Sequence, residues 1–127
     1  MLTKQFRLTR MKDFEILFKE GRFVGGDLVD LKVWKIDPGK YQKRKYSPND
    51  LKIGFVVPIK ISKKAVVRNR IKRQMREVVR LLMKDKAIKC GYFVLFLAKK
   101  GTIGVEYIDI DDSIVNLLKK TGLLVSN

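Results

Sequence analysis

The sequence predicts an α/β (α+β) domain in which a long basic helix crosses between two apolar strands. Residues 62–84 contain no Gly or Pro and repeat apolar side chains at helical spacing, at Val67, Ile71, Met75, Val78 and Leu82. On either side stand apolar runs of strand length, 51–59 (LKIGFVVPI) and 92–98 (YFVLFLA). Strand, long helix, strand is the connection that ordinarily joins parallel neighbours. At 127 residues the chain suits one domain, 1–127, with a single core of ordinary size.

Taken in order, residues 1–10 (MLTKQFRLTR) are basic and read as a mobile arm with Phe6 and Leu8 as anchors. A short helix follows, capped at Thr9 and stopped by Gly21, with Met11, Phe14, Leu17 and Phe18 on one side at i, i+3, i+4 spacing. Met11 and Leu17 are expected in the core. Phe14 and Phe18 suit either the core or a stacking surface for unpaired bases. After Gly25-Gly26, residues 27–36 (DLVDLKVWKI) alternate imperfectly through Leu28, Leu31, Val33 and Trp34, as a strand does. Residues 37–50 (DPGKYQKRKYSPND) read as a solvent-exposed connecting loop, with Lys43, Arg44 and Lys45 available for non-specific phosphate contacts.

Pro58 cannot donate to a ladder and marks an edge, a bulge or the end of its strand. The run 92–98, apolar throughout, is expected as a buried central strand. The chain then turns over 99–104 into a last helix that begins between Ile108 and Asp111, buries Ile110, Ile114, Leu117 and Leu118, and ends at Thr121 before Gly122.

The long helix has a second face. Ala65, Asn69, Lys72, Arg73, Arg76 and Arg80 fall opposite the apolar stripe, and Ser62 stands where an N-cap is expected. Exposed helices usually interleave Glu with Lys or Arg, yet from Lys63 to Arg80 there are eight basic residues and only Glu77 is acidic. Such a plate repels itself until an anion screens it, and the excess of Arg over Lys suits the forked recognition of phosphate. The whole chain agrees: a formal charge of +16 and a pI near 10.1 point to nucleic acid rather than to a small neutral metabolite.

Other classes fall away. No apolar run approaches the roughly 18 residues of a membrane span, and MLTKQFRLTR lacks the apolar core of a signal peptide, so a cytoplasmic location and no membrane partner are expected. There are no histidines and one cysteine, which excludes the usual zinc sites and imidazole-activated nucleophiles. Cys90 is expected as a small core residue. Glu106, Asp109, Asp111 and Asp112 are favoured at a helix start by its free amides and dipole; the alternative is a magnesium site of a self-sufficient nuclease.

Residues 65–77, AVVRNRIKRQMRE, closely resemble the RNR signature of the protein subunit of bacterial ribonuclease P. An Asp-Phe followed by LFKEG, IGFVV ahead of the basic helix, an apolar strand after it and a leucine-bearing last helix occur in the family's order. The resemblance spans nearly the whole chain. It implies a two-layer sandwich of a four-stranded mixed sheet and three helices, with a left-handed crossover carrying the basic helix and a first strand around 22–24. It also implies that Arg68, Asn69, Arg70, Lys72, Arg73 and Arg76 meet the catalytic ribonuclease P RNA. Phe14, Phe18, Lys60 and Lys64 would line the cleft for the single-stranded 5′ leader of precursor tRNA. Mg2+ would be needed by the holoenzyme and bound mainly by RNA, none of it tightly by the protein, and no obligate protein partner is implied. Where many members have Ser-Val-Ser-Lys-Lys and a Gly, this chain has Val57-Pro58-Ile59-Lys60-Ile61-Ser62-Lys63-Lys64. Only Lys60 matches the paired lysines there, with Lys63 or Lys64 as replacement for the other. The alternatives are a structural RNA-binding protein of ribosomal type and, further off, a DNA-binding module.

Overall fold

The computed structural model describes residues 4–44 and 46–125. Strands β1 (Arg22–Val24), β2 (Val29–Lys35), β3 (Leu51–Val56) and β4 (Tyr92–Ala98) form one mixed sheet in the order β1-β2-β4-β3. β2 is antiparallel to both β1 and β4, whereas β3 lies parallel to β4. The helices are α1 (Met11–Glu20), α2 (Ala65–Lys84) and α3 (Tyr107–Thr121), and α2 makes the connection between the parallel pair.

β4 sits inside the sheet because YFVLFLA needs cover on both faces. Phe93 and Leu95 pack with Leu8, Ile16, Leu17 and Trp34 on the side of α1. Val94, Phe96 and Ala98 pack on the other side with Ile71, Met75 and Val78 of α2 and Ile110, Ile114 and Leu117 of α3. The sheet therefore divides the expected single core in two. α2 and α3 make the sandwich layer, and α1 adds a partial layer on the opposite face.

On α1 the buried stripe runs through Asp13, Ile16 and Leu17. Met11 is 78% exposed, so its place in the core is overturned: it opens the helix on the side away from that stripe. The N-cap is Arg10 instead of Thr9, without a side-chain cap. For α2 the cap is Lys64 instead of Ser62, whose Oγ accepts from the Lys64 amide at 3.2 Å and so turns the chain just ahead of the helix. α3 starts at Tyr107 under a capping box in which Glu106 and Asp109 accept from each other's amides, and closes on Gly122 at φ +76, a left-handed position that favours glycine.

Two segments read as loose are held. Residues 4–10 are no mobile arm: Leu8 is buried, its amide donates to the Ile53 carbonyl at 2.9 Å, and Lys52 Nζ donates to the Gln5 carbonyl at 2.8 Å. The backbone of Arg7 and Leu8 thus adds to the open edge of β3, while residues 1–3 fall outside the described chain. The 37–50 segment is not a bare connector either. Tyr41 and Tyr46 set their rings edge-on against Trp34, with centroids 5.9 and 6.0 Å away, and Tyr46 does the same to Phe93 at 5.1 Å. Their hydroxyls donate to Glu20 and Asp13 of α1, and Lys40 joins Glu20. Aromatic spacing without a period hid this lid from the sequence. Lys43 is exposed; Lys45 and the side chain of Arg44 lie outside the described residues. Cys90, expected in the core, is exposed because it belongs to the bend before β4 and not to the strand.

The Glu20 contacts predict a pH effect. Lys40 first, then Tyr41, hold its carboxyl below the usual carboxylate range. A depressed folded value means stabilisation present above that range and lost as pH falls through it. The gap in thermal midpoint between the wild type and Glu20→Gln is therefore expected to be full at neutral pH and to close on acidification. A gap independent of pH in a circular-dichroism titration would contradict the contact.

Candidate nucleic-acid interface

The apolar stripe of α2 fixes which of its cations face outward. With Ile71, Met75, Val78 and Val79 buried, Asn69, Arg70 and Arg73 are exposed, and Lys72 and Arg76 are half-buried along their stems. Arg68 is half-buried too; its Nη1 donates to the Ser62 carbonyl at 2.8 Å, bracing the turn that leads into the helix. Arg80 drops out of the plate read from sequence. Its Nη2 and Nε donate to the two oxygens of Glu77 at 2.6 and 3.0 Å, which raises the guanidinium's pKa and holds the Glu77 carboxyl low. The one acid on this face thus neutralises its C-terminal arginine, and the plate ends at Arg76.

Arg76 also belongs to a cleft of about 200 Å3 at the β3 side of the sheet. It is lined by Phe14 of α1, by Arg76 of α2, by Arg7, Leu8 and Thr9 ahead of α1, and by Ile53, Gly54 and Phe55 of β3. Gly54 keeps this packing close: a Cβ there would stand 3.0 Å from Leu95 Cδ1 and 3.3 Å from two side-chain atoms of Leu8, which would have to give by a few tenths of an ångström.

The other residues assigned to a leader cleft do not join Phe14. Phe18 is 51% exposed outside it, with Lys32 Nζ 5.1 Å from its ring centroid and bonded to its carbonyl. Lys60 lines a second cleft of about 440 Å3 with Phe23, Pro58, Ile61, Leu97, Lys99 and Lys100. Lys64 is exposed at the start of α2. Sequence reasoning missed Arg7, Phe23, Lys99 and Lys100. Phe23 lies on a three-residue strand, too short to show a period, and the lysines sit beyond the end of β4 in what reads only as a turn.

The acidic group at α3 does not fit a cation site. Glu106 and Asp109 are engaged by the capping box, and among the described residues no three His, Cys, Asp or Glu side chains gather as metal ligands. Among the same residues no helix is long and apolar enough to cross a membrane.

A family model described as Ribonuclease P matches residues 2–122. The chain belongs to the ribonuclease P protein family. It is 35% identical over 118 residues to the ribonuclease P protein component of Clostridium kluyveri, covering 93% of this chain and 96% of the relative. It is 32% identical over 120 residues to that of Clostridium botulinum (strain 657 / Type Ba4), covering 94% and 97%. Its fold is that of the solved RNase P protein of Staphylococcus aureus, with a TM-score of 0.77 at 20% identity over 96% of this chain and 100% of the other. The RNase P protein of Thermotoga maritima gives 0.71 at 24% identity over 95% and 98%. In this ribonuclease P protein the plate-and-cleft geometry carries its own test. Arg73→Ala is expected to shorten retention on a heparin column clearly more than Arg80→Ala, since only Arg73 is free of a carboxylate; equal shifts would mean that Glu77 does not neutralise Arg80 in solution.

Proposed function

We propose that this chain, acting as one RNA-binding domain, is the protein subunit of a ribonuclease P ribonucleoprotein. It binds the catalytic RNA through Arg68, Asn69, Arg70, Lys72, Arg73 and Arg76, and takes the 5′ leader of precursor tRNA into the cleft at Phe14. The observation that carries this reading is the double position of Arg76, the last cation of the plate and a wall of the aromatic cleft. A strand lying against Phe14 meets the same guanidinium that stands at the edge of the RNA-facing surface.

Each part has a physical task. Phosphates of leader and catalytic RNA repel at close approach, and fixed cations between them reduce that cost. Phe14, half-buried in the lining of the cleft, offers an aromatic ring on which any unpaired base can stack, so leader sequence need not be read. Phe18, Lys60 and Lys64 extend the contact beyond the cleft instead of lining it. The protein brings no imidazole and, among the described residues, no gathered carboxylates, so the hydrolysis that leaves a 5′ phosphate on mature tRNA is assigned to the RNA subunit, and Mg2+ to sites made mainly by RNA. The reaction is one of the cytoplasm. A ribosomal type of RNA-binding protein is the weaker reading, because it gives no role to the Phe14 cleft.

Reconstitution tests the proposal. The protein is mixed with a bacterial ribonuclease P RNA at physiological salt and low magnesium, and cleavage of a 5′-labelled precursor tRNA is followed against each component alone. Cleavage at the mature 5′ end is expected to be far faster with both; RNA binding without stimulation would reject the subunit assignment. Phe14→Ala is expected to weaken precursor tRNA relative to mature tRNA by about 1–3 kcal/mol, the size of a lost base–aromatic stack. An equal loss for both substrates would leave Phe14 a packing residue.

A further inference from the structure

We propose that Tyr46 is a positioning residue: through Asp13 it fixes the roll of α1 on the sheet, and with it the place of Phe14 in the cleft shared with Arg76. The inference rests on the leader-binding function proposed above and adds to it a residue that does not line the cleft.

The helix that carries Phe14 needs such a fix. α1 is ten residues long, has no side-chain N-cap, and its fully buried apolar side chains are Ile16 and Leu17. A helix of that length is marginal by itself, and hydrophobic contact, being non-directional, resists rolling only weakly. Its third buried side chain is Asp13, 4% exposed. A buried carboxylate is directional where a leucine is not, because it must stay on its donors. The Tyr46 hydroxyl donates to Asp13 Oδ1 in the first turn, while Lys40 and Tyr41 donate to Glu20 at the last residue. About 10 Å of helix separates the two grips. Together they fix the helix along its axis as well as around it.

Tyr46 is itself held by the sheet. Its ring stands edge-on to Trp34 of β2 and Phe93 of β4, which are register partners. The segment that carries it is closed at its base by Gly91, whose amide donates to the Asp50 carbonyl at 2.7 Å and whose carbonyl accepts from the Ile36 amide at 2.9 Å. Packing on Trp34 and Phe93 would be served equally by phenylalanine; the hydroxyl adds the link to Asp13. A path of contacts thus runs from the centre of the sheet through Tyr46 to Asp13 and on to Phe14, the next residue of α1. A roll that carried Asp13 off the phenol would swing Phe14 by the same angle. On a helix about 10–12 Å across, a roll of about 20° moves a side-chain tip by about 2 Å, well outside the roughly 0.5 Å within which a binding geometry has to be held.

A double-mutant cycle tests the path. Precursor and mature tRNA are bound to holoenzyme reconstituted with wild-type protein, Tyr46→Phe, Phe14→Ala and the double variant, at a temperature well below the thermal midpoint of each protein. Tyr46→Phe keeps the ring and removes only the hydroxyl. It is expected to lower the preference for precursor over mature tRNA about two- to fivefold, the worth of one hydrogen bond. Once Phe14 is alanine, the same substitution is expected to leave the preference where it is, because the two residues act as one unit. Asp13→Asn, which keeps an acceptor for the phenol, is expected to retain most of the preference that Asp13→Ala loses. A preference unchanged by Tyr46→Phe, or lowered equally with and without Phe14, would overturn the inference and leave Tyr46 a packing residue. A preference unmoved by Phe14→Ala itself would overturn the leader-binding function, and this inference with it, so the two failures are told apart.

Discussion

Everything in this molecule depends on β4 being apolar on both faces. A strand with Phe93 and Leu95 on one side and Val94 and Phe96 on the other cannot border water, so it draws β2 and β3 to its edges and helices to both faces. That demand fixes α2 across one face with its apolar stripe inward, and only then are Arg70 and Arg73 obliged to face out. It also brings α1 onto the opposite face, where Phe14 meets β3. The cationic surface is a by-product of hydrophobic cover, arranged by side chains on the inner face of the helix.

The parts of the fold visible in the sequence are those with local, repeating signals. The α2 stripe, the central position of β4, the parallel β3–α2–β4 connection and the end of α3 at Gly122 all follow from periodicity or from a residue whose backbone options are restricted. Where the signal is non-local, reading residues in order fails. Nothing near Tyr41 and Tyr46 in the chain announces that their partners are Trp34, Phe93 and two carboxylates of α1, and a loop rich in Pro, Lys and Tyr looks solvated. Met11 shares helical spacing with Leu17 yet opens its helix facing water. β1, at three residues, came from family resemblance and not from its own pattern.

The candidate site divides in the same way. The cations of α2 are consecutive on one helix face, so spacing alone assembled them, and the single misplacement, Arg80, came from a partner three residues earlier whose reach the face count ignored. The cleft residues are drawn from four parts of the chain, and of Phe14, Phe18, Lys60 and Lys64 only Phe14 lines the cleft that Arg76 shares. Lys60 kept company with Phe23 and Lys100 instead, through the segment where Pro58 and Ile61 depart from the family pattern.

That division has a consequence for how the two halves of the surface come into being. The plate lies within α2 and exists once that one helix is formed, whereas the Phe14 cleft draws its lining from Arg7, Gly54 and Arg76, on three separate elements of the chain. Its shape is thus a cooperative property, complete only when the first and middle thirds of the chain have docked across the sheet. A polyanion that engaged both halves would select the finished fold over any partly ordered chain that offers α2 alone, and so would act as a check on the folding of the protein that holds it.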